Sequence, residues 1–252
     1  MSHPQIKMLM NDMKLIGMAQ TVEKTAAAAT HDSWTYFEFI DVLLQAENEF
    51  RDAKRKQSRI KASRIRRTAS FEDFDLSAKR SLTKIQLKEI EALKWLEDGR
   101  PLLFIGPTGV GKTYLAEATG LHVCGRGKIV LFISVTSFLE QLLLARSTNT
   151  HLKFKERLTK PDLLIFDDFG LRKFTVVEAE DFRQVLEERS YGKSTLITTQ
   201  LPLSHWAEVL PDPVLTEAIV DRLQGLAVEI KITGESYRRV KARKLDSKVE
   251  VQ

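Results

Sequence analysis

Leu102-Leu103-Phe104-Ile105-Gly106-Pro107-Thr108-Gly109-Val110-Gly111-Lys112-Thr113 is the stretch whose reading decides the fold. Its apolar start reads as a buried strand, and Tyr114-Leu115-Ala116-Glu117-Ala118 reads as the opening of a helix. Between them stands G-x-x-x-x-G-K-T, in the strand–loop–helix context that makes this spacing a phosphate-binding loop. Glycines let the backbone turn with its N–H groups pointing inward, and the helix N-terminus adds positive potential. Lys112 is placed to reach the β- and γ-phosphates, and the Thr113 hydroxyl to ligate Mg²⁺. The expected nucleotide-binding set is Gly106, Pro107, Thr108, Gly109, Val110, Gly111, Lys112, Thr113 and Tyr114.

Downstream, strand-like and helix-like segments alternate. Candidate strands are Leu102–Ile105, Ile129–Ser134, Leu163–Asp167, Ser194–Thr199 and Ala227–Ile232. The stretches between them are long enough for helices, which implies βαβ units around a mostly parallel sheet, an α/β fold. Leu163-Leu164-Ile165-Phe166-Asp167-Asp168 is a hydrophobic strand ending in paired carboxylates, the Walker B pattern. Asp167 is expected to hold Mg²⁺ beside the loop, and Asp168 to orient and polarise the attacking water. Ser194-Thr195-Leu196-Ile197-Thr198-Thr199-Gln200 ends a further strand in hydroxyl and amide groups. It offers Thr199, or alternatively Gln200, a place between the Walker motifs.

Two arginines stand out by position. Arg222 lies near a helix end closed by Gly225, and Arg238 lies in Gly234-Glu235-Ser236-Tyr237-Arg238-Arg239. An arginine on the γ-phosphate stabilises transition-state charge and can come from a neighbouring subunit. Spacing alone leaves both as readily surface ion pairs.

Upstream, the chain contains no glycine between Met18 and Glu97 and reads as helical. Leu9, Met13, Ile16 and Ala19 suggest one amphipathic helix. A second opens at Thr35-Tyr36-Phe37-Glu38, a capping box, with Phe39, Leu43, Ala46 and Phe50 on one face. Residues 51–67 then carry nine Lys or Arg against one acid. Arg51, Lys54, Arg55, Lys56, Arg59, Lys61, Arg64, Arg66 and Arg67 are expected to contact the duplex DNA backbone largely independently of sequence. The run has no aromatic residue to stack on single-stranded bases. Phe71-Glu72-Asp73-Phe74-Asp75 reads as a linker that docks two phenylalanines, and Thr83-x-x-Gln86 caps another helix. The expected layout is a small all-helical DNA-binding and oligomerisation domain at 1–67, a linker at 68–81 and an ATPase domain at 82–252.

The totals exclude several classes. Apolar residues make up 43% and charged residues 29%, with net charge +5, which is ordinary for a soluble globular protein. No apolar run reaches the roughly 20 residues of a membrane helix, so no membrane partner and a cytoplasmic location are expected. Cys124 is the only cysteine, and the five histidines show no metal-ligand spacing. The guanine-recognising Asn-Lys-x-Asp pattern of a GTPase is missing, and a basic arm has no role in a metabolite kinase.

Taken in order, GPTGVGKTYLA (106–116), LLIFDDFGLR (163–172), STLITTQLPLSHW (194–206), DPVLTEAIVDRL (212–223) and GESYR (234–238) resemble the IstB-like transposition helper ATPases. These are relatives of the DnaC-like replicative helicase loaders in the AAA+ superfamily. LIGMAQTVEK (15–24), the run from Tyr36 to Arg64 and FEDFD (71–75) resemble the family's amino-terminal region, so the likeness spans nearly the whole chain. The resemblance implies an AAA+ core with a five-stranded parallel sheet, and ATP and Mg²⁺ as cofactors. It implies Thr199 as sensor 1, Arg222 as inter-subunit arginine finger and Arg238, or else Arg239, as sensor 2. The family's common Thr-Ser-Asn is here Thr198-Thr199-Gln200. An Asp-Asp Walker B pair is usual in this branch and implies slow basal hydrolysis. Implied partners are duplex DNA, further copies of the chain and an IstA-like transposase. The alternative within the same superfamily is a helicase loader.

Overall fold

The computed structural model describes residues 3–76 and 81–237. The chain divides into two compact units, Met1–Ser58 and Arg59–Gln252.

The first unit is helical: α1 (His3–Asp12), α2 (Ile16–His31) and most of α3 (Tyr36–Ser63). The single helix expected over Leu9 to Ala19 is instead two. Met13 and Lys14 close α1 with backbone bonds to Leu9 and Asn11, and Lys14 adopts φ 60°, which ends the helix without a glycine. Gly17 then lets α2 meet α3 closely, since a Cβ there would lie 2.5 Å from the Ala46 carbonyl oxygen. Its N–H donates to Glu47 Oε2 at 2.7 Å. Burial works against the Glu47 charge, but Arg51 and the amides of Met18 and Gly17 hold its carboxyl below the usual range. The capping box at the start of α3 forms as expected: Thr35 N–H donates to Glu38 Oε2 at 2.7 Å and Glu38 N–H to Thr35 Oγ1 at 3.3 Å.

The second unit takes the last turn of α3 and everything after it. Its order is α4 (Lys84–Glu91), α5 (Lys94–Glu97), β1 (Leu102–Ile105), α6 (Lys112–Gly125), β2 (Val130–Ser134), α7 (Val135–Ser147), α8 (His151–Thr159), β3 (Leu163–Phe169), α9 (Val176–Arg189), β4 (Ser194–Thr199), a short 3₁₀ helix (Leu203–Glu208), α10 (Pro213–Leu223) and β5 (Val228–Lys231). The five strands form one sheet in the order β2-β3-β4-β1-β5, and every pairing is parallel. The apolar runs sit where sequence placed them because a parallel sheet is buried on both faces. Alternate residues serve alternate faces. Leu103, Ile133, Phe166 and Ile197 pack with Phe138, Phe182 and Trp206 on one side. Leu102, Phe104, Ile165, Leu196 and Ile230 pack with Leu115, Trp95 and Cys124 on the other.

That second layer also takes in residues N-terminal to the sheet. Ala69, Phe71 and Phe74 are buried in it, and Ile60 and Ile65 pack against it. The two phenylalanines dock as the acidic-aromatic pattern suggested. The contact boundary at Ser58/Arg59 therefore falls inside the basic run.

Parallel strands deliver their carboxyl ends to one edge of the sheet, where open α/β sheets place ligands. Ile105 lies opposite Thr199 on one side and Lys231 on the other. β4 separates β1 from β3, so its last residues fill the space between the loop after β1 and the acids of β3.

Candidate nucleotide site

The loop between β1 and α6 is built by positive-φ glycines. Gly109 has φ 89° and Gly111 φ 103°, a left-handed region that suits residues without a side chain. Gly111 immediately precedes α6, whose first turn turns its amides toward the loop. Val110 is fully buried and anchors the loop in the core. The Lys112 ammonium curls back over the loop and donates to the carbonyls of Gly106 at 2.8 Å and Pro107 at 3.0 Å. Its charge is thus held at the centre of the curve made by the backbone.

Behind the loop, Thr113 Oγ1 donates to Asp167 Oδ1 at 3.1 Å. The same oxygen accepts from Thr198 Oγ1 at 2.6 Å. Burial raises the Asp167 carboxyl above the usual range, aided by the Asp168 charge and opposed by the two hydroxyls and Lys112. A hydroxyl beside a buried carboxylate is an all-oxygen donor set, which suits a hard cation such as Mg²⁺. Among the described residues no group of three His, Cys, Asp or Glu could hold a metal by itself. Magnesium here would complete its shell with phosphate oxygens and water.

Asp168 stands in a β-bulge. The β3–β4 register shifts between Phe166 and Phe169, and Asp168 has φ 59°. Its N–H donates to Thr198 Oγ1 at 2.9 Å, so one threonine ties the Asp167 carboxylate to the Asp168 backbone. The bulge turns the half-exposed Asp168 away from the direction strand alternation would give it.

The other expected residues fall differently. Thr199 spends its hydroxyl on its own turn, accepting from Leu201 N–H at 3.0 Å. Thr198, which the motif reading passed over, is the residue that meets the Walker B carboxylate, whereas Gln200 is exposed at the strand end. Tyr114 is half-buried, and its hydroxyl accepts from Ser70 N–H at 3.3 Å. Arg222 pairs with Glu187 Oε1 at 2.9 Å and donates to Ala218 O at 2.9 Å. It lines a hollow with Arg100, Pro101 and Lys193, residues that precede β1 and β4, so it lies toward the opposite end of the sheet from the loop. Arg238 and Arg239 lie outside the described residues.

Within the basic run, Arg51 pairs with Glu47 at 2.7 Å, Arg55 with Asp52 at 3.3 Å, and Arg59 donates to the Cys124 carbonyl at 3.1 Å. Lys54, Lys56, Lys61, Arg64, Arg66 and Arg67 are exposed.

The segment after β5 closes over the loop. Ile232 N–H donates to Ile105 O at 2.7 Å and Tyr237 N–H to Gly109 O at 2.9 Å. A Cβ at Gly109 would lie 2.2 Å from Ser236 Oγ, and one at Gly106 would lie 2.0 Å from the Ile232 carbonyl oxygen. The second obstacle is backbone and cannot rotate away. Gly106→Ala is therefore expected to lose about 1–3 kcal/mol of stability and to weaken nucleotide binding in parallel. Thermal melts with and without ATP check this; an unchanged melt would mean the loop and the β5 exit move apart without cost.

Comparison with known proteins gives the family and the fold. A family model described as IstB-like ATP binding protein matches residues 8–245. An insertion-sequence ATP-binding protein of Sinorhizobium fredii is 32% identical over 97% of this chain and 99% of its own length. The insertion sequence IS21 ATP-binding protein of Pseudomonas aeruginosa is 29% identical over 95% of this chain and 91% of its own. Among solved structures, DnaI aligns with TM-score 0.56 at 25% identity, over 68% of this chain and 90% of that one. The DnaC helicase loader aligns with TM-score 0.56 at 23% identity, over 65% of this chain and 96% of that one. The core is thus the AAA+ P-loop ATPase fold, and the chain belongs to the IstB-like ATP-binding protein family of insertion sequences.

Proposed function

We propose that the chain is an ATP-hydrolysing helper of transposition that assembles with further copies of itself on duplex DNA, remodels it as target and presents it to a partner transposase. The observation that carries this reading is that the end of the basic run, from Arg59 onward, is folded into the unit that holds the nucleotide site. The insertion-sequence relatives supply its context.

In this reading the loop from Gly106 to Thr113 cradles the phosphates and Lys112 neutralises the β- and γ-oxygens. Thr113 and Asp167 hold Mg²⁺, which supplies charge neutralisation on those oxygens when bound. Asp168 orients the water that attacks the γ-phosphorus as the bond to the β-phosphate oxygen breaks, giving ADP and phosphate. Thr198 positions the Asp167 carboxylate and the backbone of Asp168. Gln200 takes the sensor role at the strand end, because Thr199 is committed to its turn. Arg222, pointing away from its own loop, serves the nucleotide of a neighbouring subunit, and Arg238 serves its own. Residues 1–67 provide DNA contact and assembly, 68–81 the link and 82–252 the ATPase. Hydrolysis, stimulated by the partner, disassembles the complex.

Mass photometry on duplex DNA with ATP or ADP tests the assembly. ATP-dependent multimers on duplex are expected, and Arg222→Ala should cut hydrolysis by the assembled protein about a thousandfold. Unchanged hydrolysis would remove Arg222 from the site. Strong single-strand preference together with a stable helicase complex would replace transposition by helicase loading.

A further inference from the structure

Residues 65–70 run antiparallel to the first half of α6. At one end, Ile65 Cδ1 sits so close to Gly120 that a Cβ there would lie 2.6 Å from it. At the other, Ser70 N–H donates to the Tyr114 hydroxyl. Between these two fixed points in sequence lies Arg67, the last cation of the basic run, whose charge acts on Glu117.

Glu117 is an odd residue for this place. It is 5% exposed, and among the described residues its Oε2 has no hydrogen-bond partner. A buried carboxylate oxygen without a partner is costly, and a functional role is one of the reasons such a group is kept. Glu117 lies one helical turn beyond Thr113, on the same face of α6 as the hydroxyl that meets Asp167. Burial raises its carboxyl above the usual range; the Arg67 charge opposes that rise and the Asp167 charge adds to it. One cation at the surface and two acids below it therefore share a poorly screened region.

We propose that Glu117 is a positioning residue that links the basic segment to the Mg²⁺ site: a DNA phosphate that takes up the Arg67 charge leaves the negative field of Glu117 and Asp167 uncompensated, and Mg²⁺ with ATP is drawn more tightly to Thr113 and Asp167. DNA binding then primes the nucleotide site, and by reciprocity Mg²⁺ and ATP strengthen DNA binding by the same factor. This deepens the proposed function and rests on its assignment of the basic run to DNA and of Thr113 and Asp167 to Mg²⁺.

The test is an equilibrium Mg²⁺ titration of the full chain with a fluorescent ATP analogue, with and without a duplex oligonucleotide at low salt. In the unaltered protein the duplex should lower the Mg²⁺ midpoint by about threefold. Arg67→Gln should show that lowered midpoint without DNA. Glu117→Gln, which keeps the side-chain volume, should raise the midpoint by about threefold and make it insensitive to DNA. A merely structural acid would change the melting temperature and leave the DNA-dependent shift intact. That outcome, or an Arg67→Gln midpoint equal to the unaltered one, overturns the proposal. Should Glu117→Gln fail to fold, the exposed Arg67 variant decides alone. A protein that binds no duplex sinks the functional reading instead, and the Arg67→Gln midpoint measured without DNA still judges the charge link.

Discussion

Lys112→Ala is expected to lower the affinity for Mg²⁺ and ATP by about a hundredfold or more, the scale on which one preorganised charge on a phosphate acts. The side chain is buried, and its ammonium is already aimed into the curve of the loop by the carbonyls of Gly106 and Pro107. Little reorganisation stands between that geometry and a phosphate. Truncation leaves those carbonyls without their donor, but Pro107 is exposed and Gly106 half-exposed, so water can replace it. The fold should therefore survive, with the melting temperature within a few degrees of the unaltered protein. Arginine is a poor substitute, because a planar fork does not fit where a point charge on a flexible stem is needed. A fluorescent ATP analogue titrated at fixed Mg²⁺ gives the affinity directly. Undiminished binding in the alanine variant, with the fold intact, would sink the nucleotide reading of the loop. Under the proposed function, assembly on duplex DNA should disappear with the affinity.

The parts of this site that sequence made legible are those fixed by local rules. The loop was readable because glycines at 109 and 111 take up positive φ and Lys112 follows at a set spacing. The central strands β1 and β3 were readable because they are buried on both faces and so read as apolar runs, whereas the edge strand β5 alternates exposed and buried residues. What was hidden depends on register and packing. That Thr198, not Thr199, meets Asp167 follows from the β3–β4 register, with Phe166 opposite Ile197, and local sequence patterns do not set register between strands. The break between α1 and α2 rests on Lys14 in a left-handed conformation, where neither glycine nor proline marks the turn. Glu117 carries no sequence sign of burial, yet it is 5% exposed in the fold. Arg222 was visible at a helix end, while its orientation away from the loop follows from Glu187 on the neighbouring helix.

Structure also divides the basic run, and that division sharpens the second large effect. Arg51 is held by Glu47, and Arg59 donates to a carbonyl at the C-terminal end of α6. These two cations have work inside the fold. Lys54, Lys56, Lys61 and Arg66 are exposed and, among the described residues, make no such tie. Replacing these four by glutamate should weaken duplex binding by about a thousandfold at 0.1 M salt and flatten the log–log salt dependence by roughly three to four units. ATP affinity measured without DNA should stay near that of the unaltered protein, because none of the four lies at the loop. Arg59→Gln provides the contrast: it should lower the melting temperature and leave the salt slope within about one unit. A salt titration of fluorescence anisotropy on a labelled duplex reads both numbers. If the fourfold variant binds as tightly as the unaltered protein at low salt, the DNA contact lies elsewhere, and the basic run is only a solvated helix face. If the slope falls as expected while ATP still binds, the run is the DNA arm, and its last residues reach the nucleotide site through α6.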